Sequence, residues 1–167
     1  MYFLRKISSG KWAKAFDDPL LKSADVEADT VMYEFKTAEN KLSVWAIEND
    51  EDIDDAFIAL ASNMDSLSTI FAVKLNEEDL KSLNFDSEEG ETPTFGINDK
   101  HRNIIELTYG KIGVVIDAIL KGITNNCIER RTRGKLKELL KNAYKAEKLD
   151  IQNISPKILR ELGIPTS

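Results

Sequence analysis

The sequence predicts an α+β protein, in which a small mixed β-sheet of about four strands is covered by helices and followed by a C-terminal helical lobe. Short segments with the alternating or continuous apolar pattern of strands occur up to residue 75, and one helical stripe interrupts them. Beyond residue 100 the apolar residues recur at helical spacing. Of the 167 residues, 42% are hydrophobic and 31% are charged, which is typical of a folded globular chain.

Four segments of the first half are predicted strands. Tyr2–Ile7 is the first, and Thr30–Lys36 is the second because its apolar residues alternate. A four-residue loop at 37–40 would join the second strand to Lys41–Glu48 as a hairpin. Lys41–Glu48 is apolar on both faces, which places it inside the sheet, and Ser68–Leu75 is predicted to be buried as well.

Helices are predicted between and after these strands. Asn49 or Asp50 can cap a helix whose apolar stripe recurs every three or four residues, and 76–83 would form a short helix. In the second half, an apolar seam runs from Ile105 to Ile123, with His101 in the first turn of that helix. Arg133–Leu149 is predicted as the next helix, and a last short helix starts at Ser155-Pro156 and ends before Gly163.

Residues 84–98 show no usable periodicity, and they contain four acidic residues with two glycines and a proline. Such a stretch is typical of a linker or of a partner-binding loop, and both interpretations stay open. In the second case Phe85 and Phe95 would be its anchors. We therefore divide the chain into an acidic α+β lobe at 1–98, which includes this connecting loop, and a basic helical lobe at 99–167. The two are expected to form one compact unit.

The charge is divided in the same way. Residues 1–100 carry 22 Asp and Glu against 10 Lys and Arg, whereas residues 101–167 carry 13 basic and 7 acidic residues. This asymmetry indicates a charged partner, docking of the two halves on each other, or a salt-sensitive homo-oligomer. The sequence pI near 5.0 argues against a general nucleic-acid binder, because phosphate would repel most of the surface.

The chain lacks the residues that several classes of function require. With one cysteine and one histidine, the chain offers neither the usual zinc ligands nor a nucleophile with its base, and its glycines fit no phosphate-binding loop. The acidic run from Glu48 to Asp55 lacks the glycine and the glutamate that an EF-hand loop needs. We expect no metal and no cofactor. The absence of a signal peptide and of a membrane span predicts a cytoplasmic protein without a membrane partner.

Two further patterns in the sequence indicate alternative functions. Glu34-Phe35-Lys36 on a predicted strand has the acidic-x-Lys form found in Mg²⁺-dependent nucleases, although about three such tripeptides are expected by chance in this composition. The basic helix at 130–148 presents a stripe of lysines that could follow a phosphate backbone. The nucleic-acid-binding residues would be Arg130, Arg131, Arg133, Lys137, Lys141 and Lys145.

The leading hypothesis is a non-enzymatic cytoplasmic interaction protein, such as a small acidic regulator, inhibitor or immunity-type factor with a protein partner that is itself basic. It depends on the acidic surface and on the missing catalytic constellation. Trp12 is a candidate interface anchor or core residue, and both remain open. The predicted partner-binding residues are Asp50, Asp52, Asp54, Asp55, Phe85, Glu88, Glu89 and Phe95.

Overall fold

The computed structural model describes residues 1–36, 39–88 and 90–165. Within these ranges one antiparallel sheet of six strands forms the centre of the molecule. The strands are β1 (Tyr2–Ile7), β2 (Leu42–Ile47), β3 (Ile70–Asn76), β4 (Asn84–Asp86), β5 (His101–Ile105) and β6 (Ile128–Arg131). They lie in the order β4-β5-β2-β1-β3-β6, so the first strand of the chain is central.

Six helices cover the two faces of this sheet within the described ranges. They are α1 (Ala13–Asp17), α2 (Ala28–Glu34), α3 (Asp50–Ser62), α4 (Tyr109–Thr124), α5 (Arg133–Lys145) and α6 (Pro156–Leu162), with 3₁₀ turns at Ser23–Asp25, Glu77–Leu80, Asn98–Lys100 and Ile151–Asn153. No helix in this part of the chain has both the length and the apolar character that crossing a bilayer requires.

The α+β class is confirmed, but the predicted number of strands is wrong, and so is the mixed sheet. Six strands are present instead of about four, and each of the five pairings is antiparallel. β5 and β6 lie in the part of the chain that was predicted to be purely helical. The sheet therefore continues across residue 98, where the sequence analysis placed the boundary between the two lobes.

The predicted strand at Thr30–Lys36 is wrong, since these residues lie mostly in helix α2. Thr30, Glu34 and Phe35 are buried at helical spacing, whereas Met32 and Tyr33 are exposed. The segment shows a strand-like alternation of apolar residues because exposed Tyr33 lies between Val31 and Phe35, which both face the core. Thr37 and Ala38 of the predicted hairpin loop lie outside the described residues.

The predicted helical start at His101 is also wrong, because His101–Ile105 is strand β5. The buried residues of this strand include His101 and Asn103, and polar residues at buried positions hide the alternation that would have revealed a strand. The following helix, α4, begins at Tyr109, where the Thr108 side chain accepts a hydrogen bond from the Lys111 amide.

Other predicted elements are confirmed with shifts of a few residues at their ends. Asn49 caps α3 through a capping box with Asp52, as its position before an apolar stripe indicated. Ser155 and Pro156 begin α6, and Gly163 ends it with a φ of 75°, a left-handed conformation that favours glycine. β2, β3 and α5 also occur where they were predicted, although α5 ends at Lys145.

Two apolar cores lie on opposite faces of the sheet. On one face, which we call the α3 face, helices α3, α5 and α6 pack against residues such as Leu4 and Trp45. On the other, the α4 face, helices α1, α2 and α4 pack against Phe3 and its neighbours, and Trp12 belongs to this core. Gly122 allows α4 to approach β3 closely, since a Cβ atom there would lie 2.5 Å from the Val73 side chain.

Candidate functional site

The predicted acidic surface on α3 turns out to be largely occupied by contacts within the chain. Asp52 accepts hydrogen bonds from the amides of Glu48 (2.7 Å) and Asn49 (3.0 Å), and its Oδ1 lies 2.6 Å from the Lys100 ammonium. Burial opposes ionisation of this carboxyl, but the ammonium and the two amides outweigh it, so the pKa of Asp52 lies below its usual value.

Asp54 and Asp55 pair with cations from the second half of the chain. The Arg131 guanidinium donates to Asp54 at 2.9 and 3.0 Å and lies over the Phe57 ring, 4.8 Å from its centroid. Asp55 lies 2.8 Å from Lys100 and 3.5 Å from Lys148. Three of the four predicted carboxylates therefore pair with cations from beyond residue 98. Asp50 is exposed and has no Lys or Arg side chain within 4 Å in the described part of the chain.

A different acidic surface forms where β1 begins and where β2 and β3 end. In the sheet register, Tyr2 lies opposite Ile47 on one side and Asn76 on the other. This brings together the residues that follow those two strands. We call them the acidic end of the sheet: Glu48, Asp50, Glu51, Glu77 and Glu78.

The acidic end of the sheet combines exposed charge with an exposed aromatic side chain. Tyr2 is 46% exposed, and the Glu77 amide donates to the Met1 carbonyl at 3.4 Å. The Met1 ammonium lies 3.8 Å from the Glu77 carboxylate, but no Lys or Arg side chain among the described residues lies within 4 Å of the carboxylates of this group. The predicted partner-binding residues included Asp50, and the acidic run from Glu48 to Asp55 also contains Glu48 and Glu51. Sequence reasoning did not connect Glu77 and Glu78 with them, because these segments meet only in the sheet. The one available signal was that acidic residues follow two apolar strands.

The predicted loop residues divide between buried and exposed positions. Phe85, in β4, stacks on Phe3 with ring centroids 4.6 Å apart, so it contributes to the core of the α4 face. Phe95 is 56% exposed, and its amide donates to the carbonyl of Lys148 at 2.8 Å. Glu88 is exposed, and Glu89 lies outside the described residues. The segment after β4 thus contacts the chain beyond α5.

The predicted basic residues also fall into two groups. Arg131 pairs with Asp54 and Glu129, and Arg133 lies 2.9 Å from Glu161, so both are engaged within the chain. Burial opposes the charge of Arg131, but these hydrogen bonds raise its pKa. Arg130 is exposed and lies 5.5 Å from the centroid of the Phe71 ring.

Lys137, Lys141 and Lys145 follow the outer side of α5, whose inner side is formed by Leu136, Leu139, Leu140 and Ala143. In the described ranges, no carboxylate lies within 4 Å of these three ammonium groups. Lys141 and Lys145 are exposed, whereas Lys137 is half-buried. The sequence-predicted lysine stripe therefore exists on the outer side of α5, and Arg133, one turn before Lys137, is exposed but pairs with Glu161.

A polar cleft of about 770 Å³ lies where β1 and β2 separate. β1 pairs with β3 over all six of its residues but with β2 only from Tyr2 to Leu4. Arg5 occupies the gap that follows, and its guanidinium donates to the carbonyls of Ser43 and Glu34, each at 2.9 Å. Burial lowers the pKa of Arg5, and the charge of Glu34 offsets part of that effect.

The floor of the cleft is formed by cross-strand pairs of β2 and β5. Ser43 lies opposite Asn103, and Trp45 lies opposite His101, with the two aromatic rings edge to face at 5.3 Å. Gly90 closes over this pair, because a Cβ atom at that position would lie 3.0 Å from His101. Three of the four floor side chains, all but Ser43, are buried.

The rim of the cleft carries charges of both signs. Lys41 lies 2.8 Å from Glu88 and 3.8 Å from Asp86, and chiefly the hydrogen bond with Glu88 raises the pKa of Lys41. The Asn103 amide also donates to Asp86 at 3.2 Å and to Glu88 at 3.4 Å. One carboxylate, that of Glu88, therefore binds a cation and an amide at the edge of the cleft.

Glu34 and Lys36, the pair behind the nuclease alternative, occupy different environments. Glu34 is buried in the last turn of α2 and accepts a hydrogen bond from the Ser8 amide at 2.7 Å, whereas Lys36 is exposed beside the cleft. Burial raises the pKa of Glu34. Within the residues that the structure describes, no three His, Cys, Asp or Glu side chains are grouped so that they could hold a metal ion.

Comparison of the chain with protein-family models, with curated proteins and with solved structures finds no match.

Proposed function

We propose that the protein is a non-enzymatic interaction protein, a small regulator, inhibitor or immunity-type factor, that binds a basic protein through the acidic end of the sheet. The observation that carries this proposal is the sheet register, which brings exposed Tyr2 to the same end of the sheet as five carboxylates. Among the described residues, only Glu77 of the five lies near a cation, the Met1 ammonium at 3.8 Å. Protein interfaces commonly place an aromatic anchor inside a polar rim. Unpaired carboxylates of one sign steer a partner of opposite charge.

The experiment is affinity capture from the source cell with the wild type and with a charge-reversed variant, Glu48→Lys with Glu78→Lys. We expect one protein at stoichiometric yield with the wild type, unchanged by nuclease treatment, and its loss with the variant. Asp17→Lys with Asp117→Lys is the matched control, because both carboxylates are exposed and the change in net charge is equal. Equal capture by the two variants would remove the acidic end of the sheet as the binding surface.

The identified partner then permits a sharper measurement. Raising ionic strength should slow association more than it speeds dissociation, because screening acts mainly on the approach of the two charged surfaces. Tyr2→Ala should instead speed dissociation more than it slows association, because it removes a contact that forms only in the complex. A variant that changed the association rate alone would show that Tyr2 is not an anchor.

A second candidate function, nucleic-acid binding, depends on the exposed lysines of α5. Their ammonium groups have no carboxylate within 4 Å in the described part of the chain, and they follow one side of a helix as phosphate contacts require. Lys141→Glu with Lys145→Glu should abolish retention on DNA or RNA, whereas Lys14→Glu with Lys81→Glu should not. Retention that is insensitive to salt and to the first variant would exclude this surface.

A further inference from the structure

The cleft between β1 and β2 has a polarity that changes with depth. Its lining includes the Arg5 guanidinium and the polar side chains of Asn103 and His101, and no carboxylate of the described lining residues is buried. In the structure Arg5 donates to the carbonyls of Ser43 and Glu34, Asn103 donates to the carboxylates of Asp86 and Glu88, and His101 Nδ1 lies 3.0 Å from the Glu88 carbonyl. The carboxylates of the lining, such as Glu88, are exposed at the rim. A cation and hydrogen-bond donors at the bottom of a cleft favour a ligand that carries negative charge.

The separation of β1 from β2 supports a binding role for this place. Strands in a sheet normally continue their pairing, because unpaired backbone groups that lose water cost free energy. Here the pairing stops after Leu4, and the Arg5 side chain satisfies the Ser43 carbonyl in place of a neighbouring strand. The result is a cleft beside this gap that is bounded by Arg5 of β1, by side chains of β2 and β5, by Leu60 and Asn63 at the end of α3, and by residues 90–92.

The rim contact shows which chemistry fits the cleft. The Glu88 carboxylate accepts hydrogen bonds from the Lys41 ammonium and the Asn103 amide. This carboxylate comes from the exposed segment after β4, so an external carboxylate or phosphate could take its place on the same donors. We infer that the cleft binds a small organic anion, a carboxylate or a phosphate ester, and that Glu88 is an internal competitor for its anionic group.

The test is a titration of the full chain with succinate and with inorganic phosphate at constant ionic strength, followed by NMR. We expect the signals of the Trp45 indole and the Asn103 side-chain amide to shift and to saturate. The Trp12 indole is the internal control, because it is buried on the opposite face of the sheet and should not respond. The absence of saturable shifts with both anions, or equal shifts at Trp12, would overturn the inference.

Two variants then give opposite expectations. Glu88→Ala removes the competitor and should tighten anion binding by about tenfold, whereas Lys41→Ala removes a donor and should weaken it by a similar factor. A lowered affinity in Glu88→Ala would indicate a cleft for cations and would overturn the inference, as would unchanged affinity in both variants. Lys36→Ala, at an exposed rim position, replaces Lys41→Ala if that variant fails to fold.

This inference is independent of the proposed function. The cleft lies near the start of β2, whereas the acidic end of the sheet lies beyond the end of that strand. Loss of anion binding in Lys41→Ala with unchanged partner capture would therefore separate the two sites.

Discussion

Asp50 and Asp52 are two residues apart at the start of α3, yet they differ in almost every physical respect. Asp52 is buried, closes the capping box and contacts Lys100, whereas Asp50 is exposed and has no Lys or Arg side chain within 4 Å among the described residues. The same contrast separates Asp54 and Asp55 from the acidic end of the sheet. Acidic residues that face the second half of the chain make ion pairs within the fold, whereas the acidic end of the sheet has no Lys or Arg side chain within 4 Å among the described residues.

The largest expected effect is that of Asp52→Ala. This substitution removes one half of the capping box and one of the two carboxylates that contact the Lys100 ammonium. We therefore expect a loss of about 2–4 kcal/mol in the free energy of unfolding. Urea denaturation measures it. Asp50→Ala is the matched control and should change the same quantity by less than about 0.5 kcal/mol. Similar losses in both variants would abolish the distinction between inward and outward carboxylates.

Glu34 tests whether every inward carboxylate stabilises the fold. Burial raises the folded-state pKa of Glu34. Its contribution to the free energy of unfolding is therefore most favourable when the carboxyl is protonated, and it declines as pH rises from the unfolded pKa, about 4.3, through the folded pKa. Glu34→Gln keeps an acceptor for the Ser8 amide without the charge. We expect this variant to match or exceed the wild type at pH 7, by about 1 kcal/mol at most. A large loss would show that its ionised form stabilises the fold.

The pair of Asp54 and Arg131 should have a measurable coupling. A double-mutant cycle with Asp54→Ala and Arg131→Ala is expected to give about 0.5–1 kcal/mol, since the pair is only partly shielded from solvent. The exposed pair of Lys135 and Glu138 within α5 is the comparison, with an expected coupling of about 0.2–0.5 kcal/mol. Equal coupling energies would mean that the ion pair between the two halves of the chain stabilises the fold no more than an ordinary surface ion pair does.

The dependence of stability on pH in the acid range gives a further test of the contribution of Asp52. The folded-state pKa of Asp52 is lowered, so its contribution is complete above the unfolded value of about 3.9 and is lost as pH falls through the folded value. We expect the wild type to lose stability in this acid range more steeply than Asp52→Asn does. The slope of unfolding free energy against pH measures it, and identical slopes in the two proteins would contradict the assignment.

The smallest expected effect on stability belongs to the acidic end of the sheet. Glu48→Lys with Glu78→Lys should change the free energy of unfolding by less than about 0.5 kcal/mol, because neither carboxylate lies within 4 Å of a cation in the described ranges. Thermal unfolding compared with Asp17→Lys with Asp117→Lys measures this. If the reversal destabilised the protein strongly, its effect on partner capture could not be assigned to the surface.

The sequence predicted elements whose apolar pattern and caps agree, and it failed where polar residues are buried or aromatic residues are exposed. Asn49 before an apolar stripe identified α3, and Ser155-Pro156 identified α6. In contrast, buried His101 and Asn103 concealed β5, and exposed Tyr33 gave α2 the pattern of a strand. Such exceptions depend on neighbours far away in the chain, which a local pattern does not contain.

The candidate surfaces were predictable only in part, for a related reason. The lysine stripe of α5 could be found because a single helix determines it. The acidic end of the sheet could not, since it needs the register that places Tyr2 between Ile47 and Asn76. The cleft depends on a missing half of one strand pairing, and no composition or spacing in a single segment indicates where two strands stop pairing.

The central position of β1 has a consequence for synthesis. This strand leaves the ribosome before its neighbours, which follow only at residues 42–47 and 70–76, and the outer strands β5 and β6 come later still. Until then, β2 and β3 would expose unpaired backbone edges to which other chains can add. A nascent chain that stalls near residue 98 should therefore depend on chaperones, and release of a fragment of that length should give inclusion bodies instead of an independent domain.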